Sequence, residues 1–166
     1  MRYWITTDTH FGHELLVREG IRPPLFGDII LERLKSALLP DDVLIHLGDI
    51  SFDDDAVWNA RLIEISPCKK WLIKGNHDKH SDTWYLSHGW DFVADRIRMR
   101  RFGAEIVFSH IPIKDDGYDF NIHGHFHNTD HRKVEPELIT IANDKHVLVA
   151  LENTGYMPVT LKRLIQ

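Results

Sequence analysis

Apolar and polar positions alternate with two periods along this chain, and the change of period divides it. Residues 3–7 form a short apolar, β-branched run that predicts a first strand, followed by the polar loop Asp8-Thr9-His10-Phe11-Gly12-His13. Gly27-Asp28 then opens a predicted helix with Ile30, Leu31, Leu34 and Leu38 on one stripe, stopped by Pro40. Residues 43–47 read as a buried strand ending at Gly48-Asp49. Asp53-Asp54-Asp55 supplies the acidic first turn of a helix reaching residue 65. Residues 70–73 predict a third strand that ends at Gly75-Asn76-His77-Asp78, and residues 82–87 a short helix terminated by Gly89.

Beyond that point the period drops from 3.6 to 2. Residues 92–102 and 105–108 predict a hairpin turning at Gly103-Ala104. Residues 120–122 predict a strand leading to His123-Gly124-His125, and residues 147–151 one more. Residues 158–165 fit a short strand or a helix, and residues 114–119 and 128–136 read as polar loops. Strand–helix alternation followed by a β-rich half predicts a layered α/β domain spanning residues 1–166, with no repeat, linker or low-complexity stretch.

Composition narrows the classes. Of 166 residues, 43% are hydrophobic, enough for a core and too many for a disordered chain. The formal net charge of −5 gives no global attraction to nucleic acid or to an anionic membrane. The single cysteine, Cys68, excludes an intrachain disulfide and reads as a small buried thiol. No apolar run is long enough to span a bilayer. A cleaved secretory leader is not expected, because Asp8 and His10 fall in the first ten residues, so the cytoplasm is the expected compartment.

The chemistry lies in where metal-capable residues fall among twelve histidines. Asp8, Asp49 and Asn76 each follow a predicted buried strand, and His110, His125 and His127 follow later ones. Ligand sites form at the carboxyl ends of strands in open α/β sheets. Asp8 and His10 are two apart, so an extended backbone aims both to one side, and His125 and His127 repeat that spacing. A carboxylate can bridge two cations, while Asn76 offers a neutral oxygen. Imidazole with carboxylate suits Mn²⁺, Fe, Zn²⁺, Co²⁺ or Ni²⁺ better than Ca²⁺. Each motif alone is weak, but five in this order at strand ends are specific.

Together, Asp8-Thr9-His10, Gly48-Asp49, Gly75-Asn76-His77-Asp78, Ser109-His110 and Gly124-His125-Phe126-His127 resemble the calcineurin-like metallophosphoesterases across nearly the whole chain. The opening Thr7 to His13 resembles the small single-domain bacterial and phage type. The resemblance implies a four-layer α/β/β/α sandwich with mixed sheets. It implies that Asp8, His10 and His127 hold one divalent transition-metal ion, Mn²⁺ foremost. Asn76, His110 and His125 would hold a second, with Asp49 bridging. It further implies a phosphodiester, phosphomonoester or nucleotide substrate, cleaved in line by a hydroxide shared between ions roughly 3.5–4 Å apart. His77, oriented by Asp78, is the expected proton donor to the leaving alcohol. The resemblance also makes a homodimer plausible.

Other residues join the site as weaker candidates. His13 is a candidate second partner or phosphate contact, and Arg22, before Pro23-Pro24, a candidate phosphate clamp, otherwise a solvated loop arginine. His46 reads as packed and His123 as orienting the His125 loop, with His80, His88, His131 and His146 on the surface. Arg96, Arg98 and Arg100 share one strand face and make the only basic patch that invites nucleic acid, though no aromatic alternates with them. Two readings therefore compete with a small-molecule phosphoesterase: a catalytically silent scaffold for a protein partner, and a nuclease.

Overall fold

The computed structural model describes residues 1–114, 116–128 and 136–166. The polar loop expected at 128–136, with His131, therefore lies largely outside the described residues. The chain runs β1 (Tyr3–Thr6), α1 (Glu14–Arg18), α2 (Phe26–Ala37), β2 (Val43–His46), α3 (Asp55–Glu64), β3 (Lys69–Ile73), α4 (Asp82–Ser87) and β4 (Phe92–Ala94). Then follow β5 (Arg96–Arg101), β6 (Ala104–Ser109), β7 (Phe120–His123), α5 (Pro136–Ile139), β8 (His146–Leu148), a 3-10 turn at Leu151–Thr154, β9 (Val159–Thr160) and α6 (Leu161–Leu164).

Two mixed sheets result. The first has the order β4-β3-β2-β1-β9, with β1 to β4 parallel and β9 antiparallel to β1. The second has the order β5-β6-β7-β8, antiparallel at β5 and parallel onward. Strand side chains alternate between faces, and β2 shows what this achieves. Leu44 joins the core shared with Ile30, Leu31 and Leu34 of α2 and Leu62 of α3. Val43 and Ile45, with Leu47 beyond, face Ile106, Phe108 and Ile122 of the second sheet. Helices thus cover the outer face of one sheet, and the sheets pack on each other. Cys68 is buried and free, as its apolar surroundings suggest.

The observed elements differ from the expected ones in four places. The run 92–102 is two strands, not one. β4 pairs with β3 in the first sheet, and after Asp95 the chain changes sheet as β5. Period-2 patterning persists through both strands, so it cannot reveal the switch. The hairpin turns at Phe102-Gly103, with φ of 53° and 83°, rather than at Gly103-Ala104, and Arg101 pairs with Ala104. The short helix α1 buries no residue and leaves no stripe to read. The final segment is a strand and then a helix, joined at Thr160-Leu161.

On β5 the expected alternation holds: Arg96, Arg98 and Arg100 are exposed and Ile97 and Met99 half-buried. Arg98 pairs with Asp116, and Arg101 lies over the rings of Tyr3 and Phe102.

The strand starts in the first sheet are tied by one carboxylate. Asp42 accepts from Arg2 N at 2.9 Å, Arg2 Nη2 at 2.6 Å, Trp4 Nε1 at 3.1 Å and Leu39 N at 3.0 Å. The Arg2 bond, outweighing burial, holds the Asp42 carboxyl well below the usual carboxylate range. A carboxyl whose pKa is lower folded than unfolded stabilises fully above about pH 4, and loses that contribution as pH falls toward its folded value. Asp42→Asn should therefore lower the urea midpoint at neutral pH, and the gap to wild type should shrink as the solution is acidified. A gap independent of pH would contradict this role.

Candidate metal centre

The loops after β1 and β2 continue side by side past the strands. Asp8 N donates to Gly48 O at 2.9 Å, His10 N to Asp49 O at 3.0 Å and Phe11 N to Ile50 O at 2.9 Å. This pairing of the two loops delivers Asp8, His10 and Asp49 to one place. The loops after β6 and β7 arrive opposite, with Gly124 N donating to His110 O at 3.0 Å.

Two groups of side chains meet there: Asp8, His10 and His127, and Asp49, His110 and His125. Within each, the ligand atoms lie within 4.8 Å of one another. Asp8 Oδ1 is 3.9 Å from His10 Nε2 and 3.7 Å from His127 Nε2. Asp49 Oδ2 is 3.4 Å from His110 Nε2 and also 3.6 Å from His10 Nε2, so it touches both groups. Asn76 Oδ1 joins the second group, 3.0 Å from His110 Nε2, and His125 Nδ1 is 3.1 Å from the same atom. All seven residues singled out by sequence are therefore brought together.

The other oxygen of each carboxylate is spoken for. Thr7 Oγ1 and His125 N donate to Asp8 Oδ2 at 2.6 and 2.9 Å, and His77 N donates to Asp49 Oδ1 at 2.8 Å. Asp8 Oδ1 is buried and accepts no hydrogen bond. A buried anionic oxygen without a donor is costly in a protein. Pointing at two imidazole nitrogens, it fits a cation, as does the carboxylate–imidazole donor set. The histidines are turned to match. His110 Nδ1 donates to Leu47 O at 2.7 Å, which turns Nε2 toward Asp49.

Aiming these groups strains the backbone. Asp8, His10, Asp49, His125 and His127 all have left-handed φ, between 44° and 70°. Such conformations cost of order 1–3 kcal/mol each and persist only where surroundings impose them. Close packing leaves no alternative. A Cβ on Gly124 would lie 2.0 Å from Thr7 Oγ1 and 2.3 Å from Asp8 Oδ2, and one on Gly75 would lie 2.2 Å from Asp49 Oδ1.

Electrostatics follow from two buried carboxylates among imidazoles. Burial pushes Asp49 up, but the His110 hydrogen bond and the charges of His110 and His10 pull it well below the usual range. Burial pulls His110 down, and the Asp49 bond with the Asp8 charge overcomes it, raising the ring to about 9. Burial dominates at His10, which falls to about 2. The cluster attracts positive charge at one ring and excludes it at another.

The supporting residues differ from expectation in two places. Asp78 does not orient the His77 ring. Its Oδ2 accepts from Asp49 N and Gly75 N, both at 2.8 Å, and its Oδ1 from Ile50 N at 3.1 Å, so it folds the loops after β2 and β3 around each other. The His77 ring instead lies against His10 and Phe52, at centroid distances of 5.3 and 5.5 Å. Arg22 is neither solvated nor turned toward an incoming phosphate. Its side chain is 0% exposed; Nη1 donates to Thr9 O and Nη2 to Asp8 O, both at 2.8 Å, while Nε and Nη2 hold Glu152 Oε1 at 2.9 and 2.7 Å.

Glu152 is the residue the sequence did not point to. Its Oε1 is also 3.2 Å from His127 Nδ1. Both Nη2 hydrogens of Arg22 are taken by Asp8 O and Glu152, so His127 Nδ1 is the donor of that pair and Nε2 is left facing Asp8. Burial raises the Glu152 carboxyl, but His127 and Arg22 bring it down to about 2.

His13 reaches the rim, with its ring 5.6 Å from that of His10. His46 is packed as expected. Its Nδ1 accepts from Gly48 N at 3.1 Å, and its Nε2 meets Thr9 Oγ1 at 3.0 Å. His123 Nδ1 donates to Gly124 O at 3.0 Å beneath the His125 loop. His80 and His146 are not simple surface residues. His80 lies 3.0 Å from Asp55 and stacks on Trp84, and His146 meets Tyr118 Oη and Ile113 O.

With the centre defined, its relatives can be compared. No curated protein is significantly similar to the chain in sequence. Among solved structures, a protein of unknown function from Aquifex aeolicus superposes with a TM-score of 0.75 at 26% identity, over 98% of this chain and 96% of its own. An archaeal phosphodiesterase matches with a TM-score of 0.47 at 17% identity, over 78% of this chain and 74% of its own. Vps29 of Chaetomium thermophilum gives 0.44 at 12%, over 74% and 59%. The last two are too distant to bear on activity. The family model for calcineurin-like phosphoesterases matches residues 1–155, and the chain belongs to that family.

Proposed function

We propose that the chain hydrolyses a phosphate ester, a diester or a monoester, with two divalent transition-metal ions at this centre. The observation that carries the reading is Asp49 Oδ2, which lies within 3.6 Å of His10 Nε2 and 3.4 Å of His110 Nε2 and so is shared by both ligand groups. Asp8, His10, His127 and Asp49 would hold the first ion, and Asp49, Asn76, His110 and His125 the second. Bound there, such ions would supply Lewis acidity, activating a water for in-line attack and neutralising charge that develops on the phosphate.

The chain's own residues do the rest. Glu152 and Leu47 O fix which nitrogen of His127 and His110 faces inward. Asp78 sets the loop that carries His77, whose backbone N–H is anchored on Asp49. The His77 ring stands at the rim, free to give its proton to the leaving alcohol oxygen. Mn²⁺ is the first candidate, and Ni²⁺, Co²⁺, Zn²⁺ and Fe share the donor preference.

The protein stripped with chelator and restored singly with Mn²⁺, Ni²⁺, Co²⁺, Zn²⁺ or Mg²⁺ should regain hydrolysis of bis-p-nitrophenyl phosphate or p-nitrophenyl phosphate. Asp49→Asn should not regain it. Two bound ions per chain with no turnover on either ester would reject the assignment. His77→Ala should keep its metal and lose about 10²-fold or more on esters with poor leaving groups, with a smaller loss on p-nitrophenyl esters. Equal losses on both would remove the proton-donor role.

A further inference from the structure

Phe52 stands at the rim of the centre, on the loop after β2. Its N–H donates to Phe11 O at 2.9 Å, next to the bridge between Phe11 and Ser51, so the loops after β1 and β2 hold it jointly. One face of its ring is covered by His13, at 3.8 Å and an interplanar angle of 3°. The residue nevertheless remains 47% exposed, with its ring 5.5 Å from the His77 ring. Scattered exposed apolar residues are ordinary on a protein surface. Phe92 and Phe102 are exposed too, but one lies on the edge strand β4 and the other at a hairpin tip. Phe52 is instead fixed by two site loops and stacked on a site histidine.

The surface past Phe52 is a shallow trough of about 460 Å³, lined by Asp53, Asp54, Asp55, His80 and Trp84 among others. Asp55 is paired with Ser51 and His80, whereas Asp53 and Asp54 stand exposed. Both faces of Trp84 are covered, by His80 and His88 at 3.9 Å each, so Trp84 offers no second stacking face. The trough therefore presents one open aromatic ring, followed by carboxylates that repel a further phosphate.

We infer that Phe52 is the platform for the alcohol portion of the ester, and that this portion is a planar aromatic group without a second phosphate. A nucleoside or aryl ester fits that description, and a nucleic-acid strand does not. The inference rests on the phosphoesterase reading and on His77 as proton donor. In hydrolysis the bond from phosphorus to the alcohol oxygen breaks as a bond to the water oxygen forms, and the His77 proton goes to the departing oxygen. That oxygen must come within about 2.6–3.2 Å of His77. Its substituent then starts beside His77 and meets the open face of Phe52, where aromatic rings stack favourably.

The test compares phenyl phosphate with glycerol 3-phosphate, or their methyl diesters if diesters are preferred, on metal-loaded wild type, Phe52→Ala and Phe52→Trp. Bound metal is measured for each protein. Phe52→Ala should raise KM for the phenyl ester roughly threefold to tenfold more than for the glycerol ester, with kcat moving less and metal retained. Phe52→Trp should restore the phenyl preference. Equal changes in KM for the two esters, or loss of bound metal from Phe52→Ala, would overturn this inference alone. No turnover of either ester by metal-loaded wild type would overturn the phosphoesterase reading together with it.

Discussion

Two buried carboxylates, Asp8 and Asp49, each turn an oxygen inward to the same ring nitrogen, His10 Nε2, and the rest of the site is arranged around that fact. Burying anionic oxygens is unfavourable unless donors or cations meet them. Here the protein supplies donors to one oxygen of each carboxylate and leaves the other facing imidazole nitrogens. His110, raised to about 9, makes good part of the deficit within the chain. Two divalent ions would supply the remainder, and metal affinity would then be a consequence of the folded arrangement.

Holding that arrangement takes contacts distributed over the whole chain. The first sheet brings Asp8, Asp49 and Asn76 to one edge by parallel pairing of β1, β2 and β3. Asp78 ties the second and third loops through three backbone N–H groups. Arg22 and Glu152, 130 positions apart, tie the first loop to the 3-10 turn before β9 and orient His127 between them. Left-handed backbone at five of the proposed ligands is sustained by these ties and by the glycines that let the loops touch.

How much of this was legible in the sequence depends on the range over which each signal acts. The seven proposed ligands were legible because each sits within four residues of a strand's end, and short spacings survive in any fold that keeps the strands. The helix stripe of α2 was legible for the same reason. The sheet switch at Asp95 was not, since alternation continues unbroken on both sides of it. Adjacency alone makes Asp78 a partner of His77, yet it serves backbone groups 28 and 29 residues away. Arg22 was visible only as a charge near two prolines. Its carboxylate partner follows an apolar run with no motif around it, and only the burial of both side chains, 0% and 6% exposed, reveals the pair. Phe52 carried no signal at all, because what distinguishes it is the angle at which His13 lies on its ring.

The central claim is that Asp49 is shared by two ions. Titration of the metal-stripped protein with Mn²⁺, followed by electron paramagnetic resonance, tests it directly. Ions roughly 3.5–4 Å apart across one carboxylate should be spin-coupled, with saturation at two per chain and a multiline spectrum in place of the six lines of isolated Mn²⁺. Saturation at one ion per chain, or two ions whose spectrum remains six isolated lines, would contradict the account.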